Sequence, residues 1–203
     1  MNDLALLAEL TPRAEELLER HLASAREWFP HELVPWSRGR DFSPGEQWEP
    51  QGSLSPAARS ALFVNLLTED NLPYYFQTIA TAFGTDDVWG TWARRWTAEE
   101  GRHAIVLRDY LTITRSVDPV ALERGRMAQV SGGVVPEPAT TQDAFVYVAL
   151  QEMATRVAHY NTGRCLDDPV GTEIMKRVAA DENLHHLFYR DLVSAALEVD
   201  PSG

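Results

Sequence analysis

The sequence predicts an all-α fold: four long helices in two hairpins, with an N-terminal helix before them and a short helix between the hairpins. Three observations carry this expectation. Apolar residues recur at three- and four-residue spacing over long stretches, as one face of a 3.6-residue helix requires. Prolines, glycines and acidic pairs gather where those stretches break. Strand-like alternation nowhere persists beyond four or five residues without helical spacing explaining it equally well.

The first helical stretch runs from Leu4 to Trp28, with Thr11-Pro12 offering a cap and first-turn signal, and Leu17, Leu18 and His21 continuing the apolar spacing. Five prolines and three glycines between Pro30 and Pro56 make a loop, with Trp36 and Trp48 to pack it. A long helix is expected from Pro56 to Phe83, kinked by Pro73, and after Gly84-Thr85-Asp86-Asp87 a second from Val88 to Arg115. Asp118-Pro119 opens a short helix that fades at Ser131-Gly132-Gly133. Helix resumes from Asp143 to Leu166, and Asp167-Asp168-Pro169 separates it from a last one, Val170 to Val199. Residues 1–203 read as a single helix-bundle domain.

Composition excludes several functions. At 44% hydrophobic and 24% charged residues the chain is globular in type, and 203 residues can bury about 70% of their unfolded surface. A net charge of −12 argues against a nucleic-acid partner. No apolar run reaches the roughly 18 residues of a membrane span, and the acidic start MNDLALLAELTPRAEE does not suit a signal peptide, so a cytoplasmic location is expected. The single cysteine, Cys165, excludes an internal disulfide and any multi-cysteine metal site.

Two segments share one pattern, Glu100-Gly-Arg-His103 and Glu182-Asn-Leu-His185. On a helix, residues at i and i+3 point the same way, which suits a carboxylate and an imidazole binding one metal. Glu69 precedes Glu100 by 31 residues and Glu152 precedes Glu182 by 30, so each hairpin can bring a lone glutamate opposite an E-x-x-H pair. Twice E…ExxH is the ligand inventory of a carboxylate-bridged di-metal site inside a four-helix bundle. Four ionised glutamates in a bundle interior would cost several kcal/mol each without compensation, whereas two divalent cations balance them. Carboxylates with two imidazoles suit iron or manganese. Taken singly, Glu99, Glu100 and Glu182 would each read as ordinary exposed helix residues. His186 and His159 read as structural, since no glutamate stands three residues before His159.

The segments Thr68-Glu-Asp-Asn-Leu-Pro-Tyr-Tyr75, Arg95-Trp-Thr-Ala-Glu-Glu-Gly-Arg-His103, Gln151-Glu-Met-Ala-Thr-Arg156 and Ala179-Ala-Asp-Glu-Asn-Leu-His185 resemble the acyl-acyl-carrier-protein desaturases, ferritin-like di-iron enzymes. The resemblance covers nearly the whole chain, which stops short of the C-terminal helices usual in that family. It implies Glu69, Glu100, His103, Glu152, Glu182 and His185 as ligands of two Fe2+, with Glu100 and Glu182 bridging. It implies Asp181 as the acid holding His103, Trp28 as the end of that route toward the surface, and Thr155 as a hydroxyl on the oxygen-binding side. It further implies an acyl-carrier-protein-bound substrate, O2, a ferredoxin-type electron donor and a homodimer. Thr78, Ala82, Ala144 and Phe145 are candidate walls of a substrate tunnel, and Arg94, Arg95, Lys176, Arg177 and Arg190 a candidate basic patch for the acidic carrier. A hydroxylase of the same fold and a ferritin-like metal-binding protein are the alternatives.

Overall fold

A computed structural model describes residues 1–201. The described residues form eight α-helices and one 3-10 turn, with no strand. In chain order they are α1 (Asp3–Ser24), α2 (Pro30–Leu33), the 3-10 turn Trp36–Arg38, α3 (Pro56–Glu69), α4 (Leu72–Phe83), α5 (Asp87–Ile113), α6 (Pro119–Gly132), α7 (Thr141–Arg164) and α8 (Pro169–Val199).

Helix α1 starts at Asp3, one residue before the expected Leu4, and ends at Ser24, short of Trp28; the Thr11-Pro12 cap signal is not used. The Asn2 side chain caps it by accepting the Ala5 N–H at 2.9 Å, and Pro12 lies inside the helix. Thr11, rather than capping, donates its hydroxyl to the Leu7 carbonyl at 2.9 Å. Asp118 and Asp168 cap α6 and α8 as expected, each accepting a backbone N–H, and Ser55 and Thr140 do the same for α3 and α7. Asp86 stands at the N-cap of α5 without such a bond.

The expected long helix from Pro56 to Phe83 is two helices, broken at Asp70-Asn71. The reason is local. Pro73 has no N–H to give the Glu69 carbonyl, and its ring would clash with it, so Pro73 is accommodated in the first turn of a new helix instead of kinking an old one. Helix α6 clamps the break: Arg126 holds both Asp70 oxygens at 2.7 and 2.9 Å, and Gln129 donates to Asn71 Oδ1 at 2.9 Å.

Helices α3, α5, α7 and α8 surround the interior, with α7 and α8 the most extensive pairing and α1 laid across α8 and α5. The apolar side chains form two clusters. One joins Leu6, Leu10 and Leu17 of α1 to Ile79, Trp92, Phe145, Phe188 and Tyr189; the other joins Trp28, Leu62 and Leu66 to Leu107, Tyr110, Ile174 and Val178. Trp92 stacks on Phe188 with centroids 3.6 Å apart, and its indole N–H donates to the Tyr189 hydroxyl at 2.9 Å, so its polar end is satisfied inside the core. Close approach of α8 to α5 depends on Gly171, where a Cβ would stand 2.5 Å from the Tyr110 hydroxyl oxygen. Between the two clusters lies a polar layer, and the chemistry is there.

Candidate metal centre

The layer is built from the end of α3 and the middles of α5, α7 and α8. Helix spacing accounts for each contribution: Glu100 and His103 share one face of α5, Glu182 and His185 one face of α8, while Glu152 projects from α7 and Glu69 closes α3. All six are buried, with Glu152, His103 and His185 at 0% exposure.

Their polar atoms form two overlapping groups, Glu69–Glu100–His103–Glu182 and Glu100–Glu152–Glu182–His185, each with one ligand atom per residue within 4.8 Å of the others. Glu100 and Glu182 belong to both groups, which is the arrangement that bridging carboxylates need. His103 Nδ1 stands 3.1 Å from Glu182 Oε1 and 3.5 Å from an oxygen of each of Glu69 and Glu100. His185 Nδ1 stands 2.8 Å from Glu100 Oε1, 3.6 Å from Glu152 Oε2 and 3.7 Å from Glu182 Oε2. Despite this crowding, His103 Nδ1, His185 Nδ1, Glu100 Oε1, Glu152 Oε2 and Glu182 Oε1 make no hydrogen bond of acceptable geometry. Buried polar atoms are rarely left so, and five converging on one volume fit a cation pair.

The surrounding shell aims these atoms. Asp181 Oδ2 lies 3.4 Å from His103 Nε2 and accepts the Trp28 indole N–H at 2.8 Å; Trp28 lies parallel to the His103 ring, 6.3 Å away. Arg102 reaches the same Asp181 oxygen at 3.2 Å and covers the Trp28 ring at 4.9 Å. On the other imidazole, Glu99 Oε2 lies 2.9 Å from both His185 Nε2 and His21 Nε2. An ionised carboxylate only accepts, so each imidazole carries its proton on Nε2 there, leaving the Nδ1 lone pairs of His103 and His185 facing the layer. Trp96 donates to Glu152 Oε1 at 2.9 Å, and His159 Nε2 holds Glu69 Oε1 at 2.7 Å. The Thr155 hydroxyl lies 3.0 Å from the Glu152 carbonyl of its own helix and 3.2 Å from Glu182 Oε2, so its one proton can go to either acceptor.

Electrostatics follow from this packing. Burial, and then the charges of Glu182 and Glu100, push the Glu152 carboxyl well above its usual range; burial and Glu182 raise Glu100 as well. Burial acts the same way on Glu182 but is outweighed by the imidazoles of His103 and His185 close beside it, which hold it low. Glu69 is lowered against burial by His159 and His103. Glu99 sits far below the carboxylate range because His185 and His21 overcome its burial. Protons and cations therefore compete for the same oxygens.

All nine residues singled out from the sequence converge here. Three more went unrecognised. Glu99 is 3% exposed rather than an ordinary surface glutamate, and His21 and His159 are buried against carboxylates of the site or its shell. Of the tunnel candidates, Thr78 and Ala82 line a cavity of 590 Å³ between α1, α4 and the segment before α7, whose walls include none of the six clustered residues. Ala144 and Phe145 do not: they are core, Phe145 stacking on Phe83 at 4.6 Å. The basic patch is largely engaged elsewhere, with Arg94 on the Thr85 carbonyl, Arg95 on Glu99 and Arg190 on Asp191.

A profile described as fatty acid desaturase matches residues 2–203. The chain belongs to the fatty acid desaturase family. Among its relatives, a Mycobacterium tuberculosis protein named as an acyl-[acyl-carrier-protein] desaturase, DesA1, is 46% identical over 100% of this chain, which spans 63% of that protein's length. An Arabidopsis thaliana chloroplastic stearoyl-[acyl-carrier-protein] 9-desaturase is 36% identical over 87% of the chain and 48% of its own length. The X-ray structure titled as the acyl-ACP desaturase DesA2 of M. tuberculosis superposes with a TM-score of 0.77 at 35% identity, covering 97% of this chain and 72% of that one. The all-α architecture is thus the ferritin-like fold of this desaturase family, whose centre is di-iron. No helix among the described residues is long and apolar enough to cross a membrane.

Proposed function

We propose that this chain, as one ferritin-like unit spanning residues 1–203, binds two Fe2+ and introduces a cis double bond into an acyl chain carried on acyl carrier protein. The observation that carries the reading is the pair of Glu/His groups sharing Glu100 and Glu182, with five buried ligand atoms unsatisfied. Glu69 and His103 would hold one iron and Glu152 and His185 the other, with Glu100 and Glu182 bridging. Manganese suits the same donors; O2 chemistry on an acyl chain favours iron.

When bound, the iron pair supplies the O2-derived oxidizing power that abstracts hydrogen from unactivated C–H bonds, chemistry no side chain provides. The chain's own residues do the rest. Asp181 and Glu99 fix the imidazole tautomers, and Trp96 and His159 orient Glu152 and Glu69. Thr155 holds a hydroxyl proton beside Glu182 Oε2, where a proton can be delivered to the reacting side of the site. The Trp28–Asp181–His103 chain joins the layer to Arg102, whose side chain is 21% exposed, and is the entry for electrons from a ferredoxin-type donor. The fully buried rings of Trp92, Trp96 and Phe188 keep water from the His185 side. The cavity beside Thr78 and Ala82 is of a size to take acyl methylenes. A homodimer in the cytoplasm completes the reading.

The test is reconstitution with Fe2+, then incubation with acyl-carrier thioesters, O2 and a reduced ferredoxin system. Two irons per chain and loss of two hydrogens from the acyl group are expected. Gain of one oxygen would replace desaturation by hydroxylation, and no product across chain lengths would overturn the enzymatic reading.

A further inference from the structure

The two imidazoles of the layer are backed by one arrangement used twice. Behind His103 stands Asp181, which also meets the Trp28 ring and the guanidinium of Arg102. Behind His185 stands Glu99, which also meets the His21 ring and the guanidinium of Arg95. The repeat is in the sequence as well: His21 and Trp28 are seven residues apart, and so are Arg95 and Arg102. Seven residues make two helical turns, so α5 presents both arginines on one side. Each ring also lies roughly parallel to the imidazole it serves. Trp28 is 5° from the plane of His103 and His21 is 21° from that of His185, with centroids 6.3 and 5.8 Å apart.

His21 closes the apolar stripe of α1 and is 4% exposed, set edge-on against Trp92 at 4.9 Å. Its Nδ1 has no hydrogen-bond partner, so the one hydrogen bond of this buried ring among the described residues is from Nε2 to Glu99 Oε2, at 2.9 Å. A leucine would extend the stripe without burying an unmatched nitrogen, so the use of an imidazole here is its bond to Glu99.

Glu99 needs such a holder. Arg95 pairs with its Oε1 from a side chain 40% exposed, and Arg102 approaches the same oxygen at 3.9 Å from one 21% exposed. Both draw the carboxylate outward, away from His185. His21 holds Oε2 inward, where it accepts the His185 Nε2–H at 2.9 Å. His21, Glu99 and His185 also lie close enough to group as metal ligands, but both 2.9 Å contacts have the length of N–H···O bonds, which occupy that oxygen with protons.

We infer that His21 is a positioning residue for the metal position of Glu152 and His185. By holding Glu99 against the pull of Arg95, it fixes the direction and tautomer of the His185 ring. The inference rests on the di-iron reading and gives each iron position its own support, Trp28 on the His103 side and His21 on the His185 side.

Chelator competition on proteins with a single metal position tests it. His103→Ala leaves the position at Glu152 and His185, and His185→Ala leaves the one at Glu69 and His103. Added to the first, His21→Leu should weaken Fe2+ binding by about tenfold or more. His21→Gln, whose amide N–H can reach the same Glu99 oxygen, should restore the affinity to within about threefold. Added to the second, His21→Leu should change the affinity by less than about threefold. Should either alanine variant unfold, as circular dichroism would show, NMR of the Zn2+-loaded protein with both ligand histidines intact decides the matter. There the His185 Nε2–H signal should be lost to exchange with water in His21→Leu and return in His21→Gln, while the His103 signal stays in both. Equal weakening in both backgrounds, no weakening in the first, or an unchanged His185 signal would overturn the role of His21. Wild-type protein that takes up fewer than two Fe2+ per chain would overturn the di-iron reading itself.

Discussion

Replacing Glu152 by glutamine should stabilise the iron-free protein and abolish normal iron loading. Glu152 has no solvent exposure, its Oε1 accepts the Trp96 indole N–H at 2.9 Å, and its Oε2 has no hydrogen-bond partner. Burial and the neighbouring charges of Glu182 and Glu100 press it toward its protonated form. Glutamine has the shape of that form, keeps the bond to Trp96 through its carbonyl, and removes an ionised group whose burial costs several kcal/mol when uncompensated. Part of that gain is lost because the amide needs partners of its own, so the net gain is about 1–3 kcal/mol. For a chain of this length, that raises the melting temperature of chelator-treated protein by about 3–10 °C. The pH dependence has a definite sign. Below the usual glutamate pKa of 4.5 the wild-type group is protonated in both folded and unfolded chains, and the two proteins should melt alike. As pH rises through the elevated folded value the wild type loses stability and the variant does not, so the gap opens upward from pH 4.5. With Fe2+ present the order reverses, since the wild type gains the binding free energy of two ions and the variant lacks one anionic ligand. Paired calorimetry with and without Fe2+ at pH 5 and 8 decides the matter. A variant that melts below wild type at pH 8 without metal, or that loads two irons per chain, would refute the reasoning.

Three further outcomes are expected. Asp181→Asn should weaken iron binding by about 10–100-fold in chelator competition, because His103 loses the acceptor that fixes its tautomer. Asp168→Asn should cost about 1–3 kcal/mol at neutral pH in urea unfolding, by placing an amide where Arg38 and Tyr110 donate at 2.7 and 2.8 Å. Burial favours protonation of Asp168, but Arg38 and Tyr110 outweigh it and lower its pKa, so wild type should surrender this advantage as pH falls from 3.8 through the lower folded value. Gly171→Ala should destabilise by about 1–3 kcal/mol in the same assay, since its Cβ would meet the Tyr110 hydroxyl at 2.5 Å.

The clustered glutamates and histidines were legible because two copies of one spacing, at matching distances along the chain, have little use other than facing each other. Glu99 was not. Adjacent glutamates on a helix point about 100° apart, and nothing near Glu99 in sequence says that its own direction is also inward. The clue lay on α1, where Leu6, Leu10, Ala14, Leu17 and His21 form one buried stripe, so that a histidine ends an apolar row and needs a buried partner. His159 could have been read from α7 itself, where it shares a face with Glu152 and Thr155 at intervals of three and four. No glutamate stands three residues before it to mark it, and its carboxylate, Glu69, lies on another helix. The break between α3 and α4 was read as a kink because apolar spacing continues across it; whether proline bends a helix or ends it depends on tertiary support, here the grip of α6 on Asp70 and Asn71.

That break has a consequence for how such a chain can change. Glu69 closes one helix, while Thr78 and Ala82 belong to the next, and the junction between them is anchored from a third. The chamber wall and the ligand are therefore separate bodies. A substitution that tilts or rotates α4 to lengthen the chamber is absorbed at Asp70-Asn71 instead of being levered onto the Glu69 carboxylate. Reach into the chamber can diversify while the ligand cage stays the same.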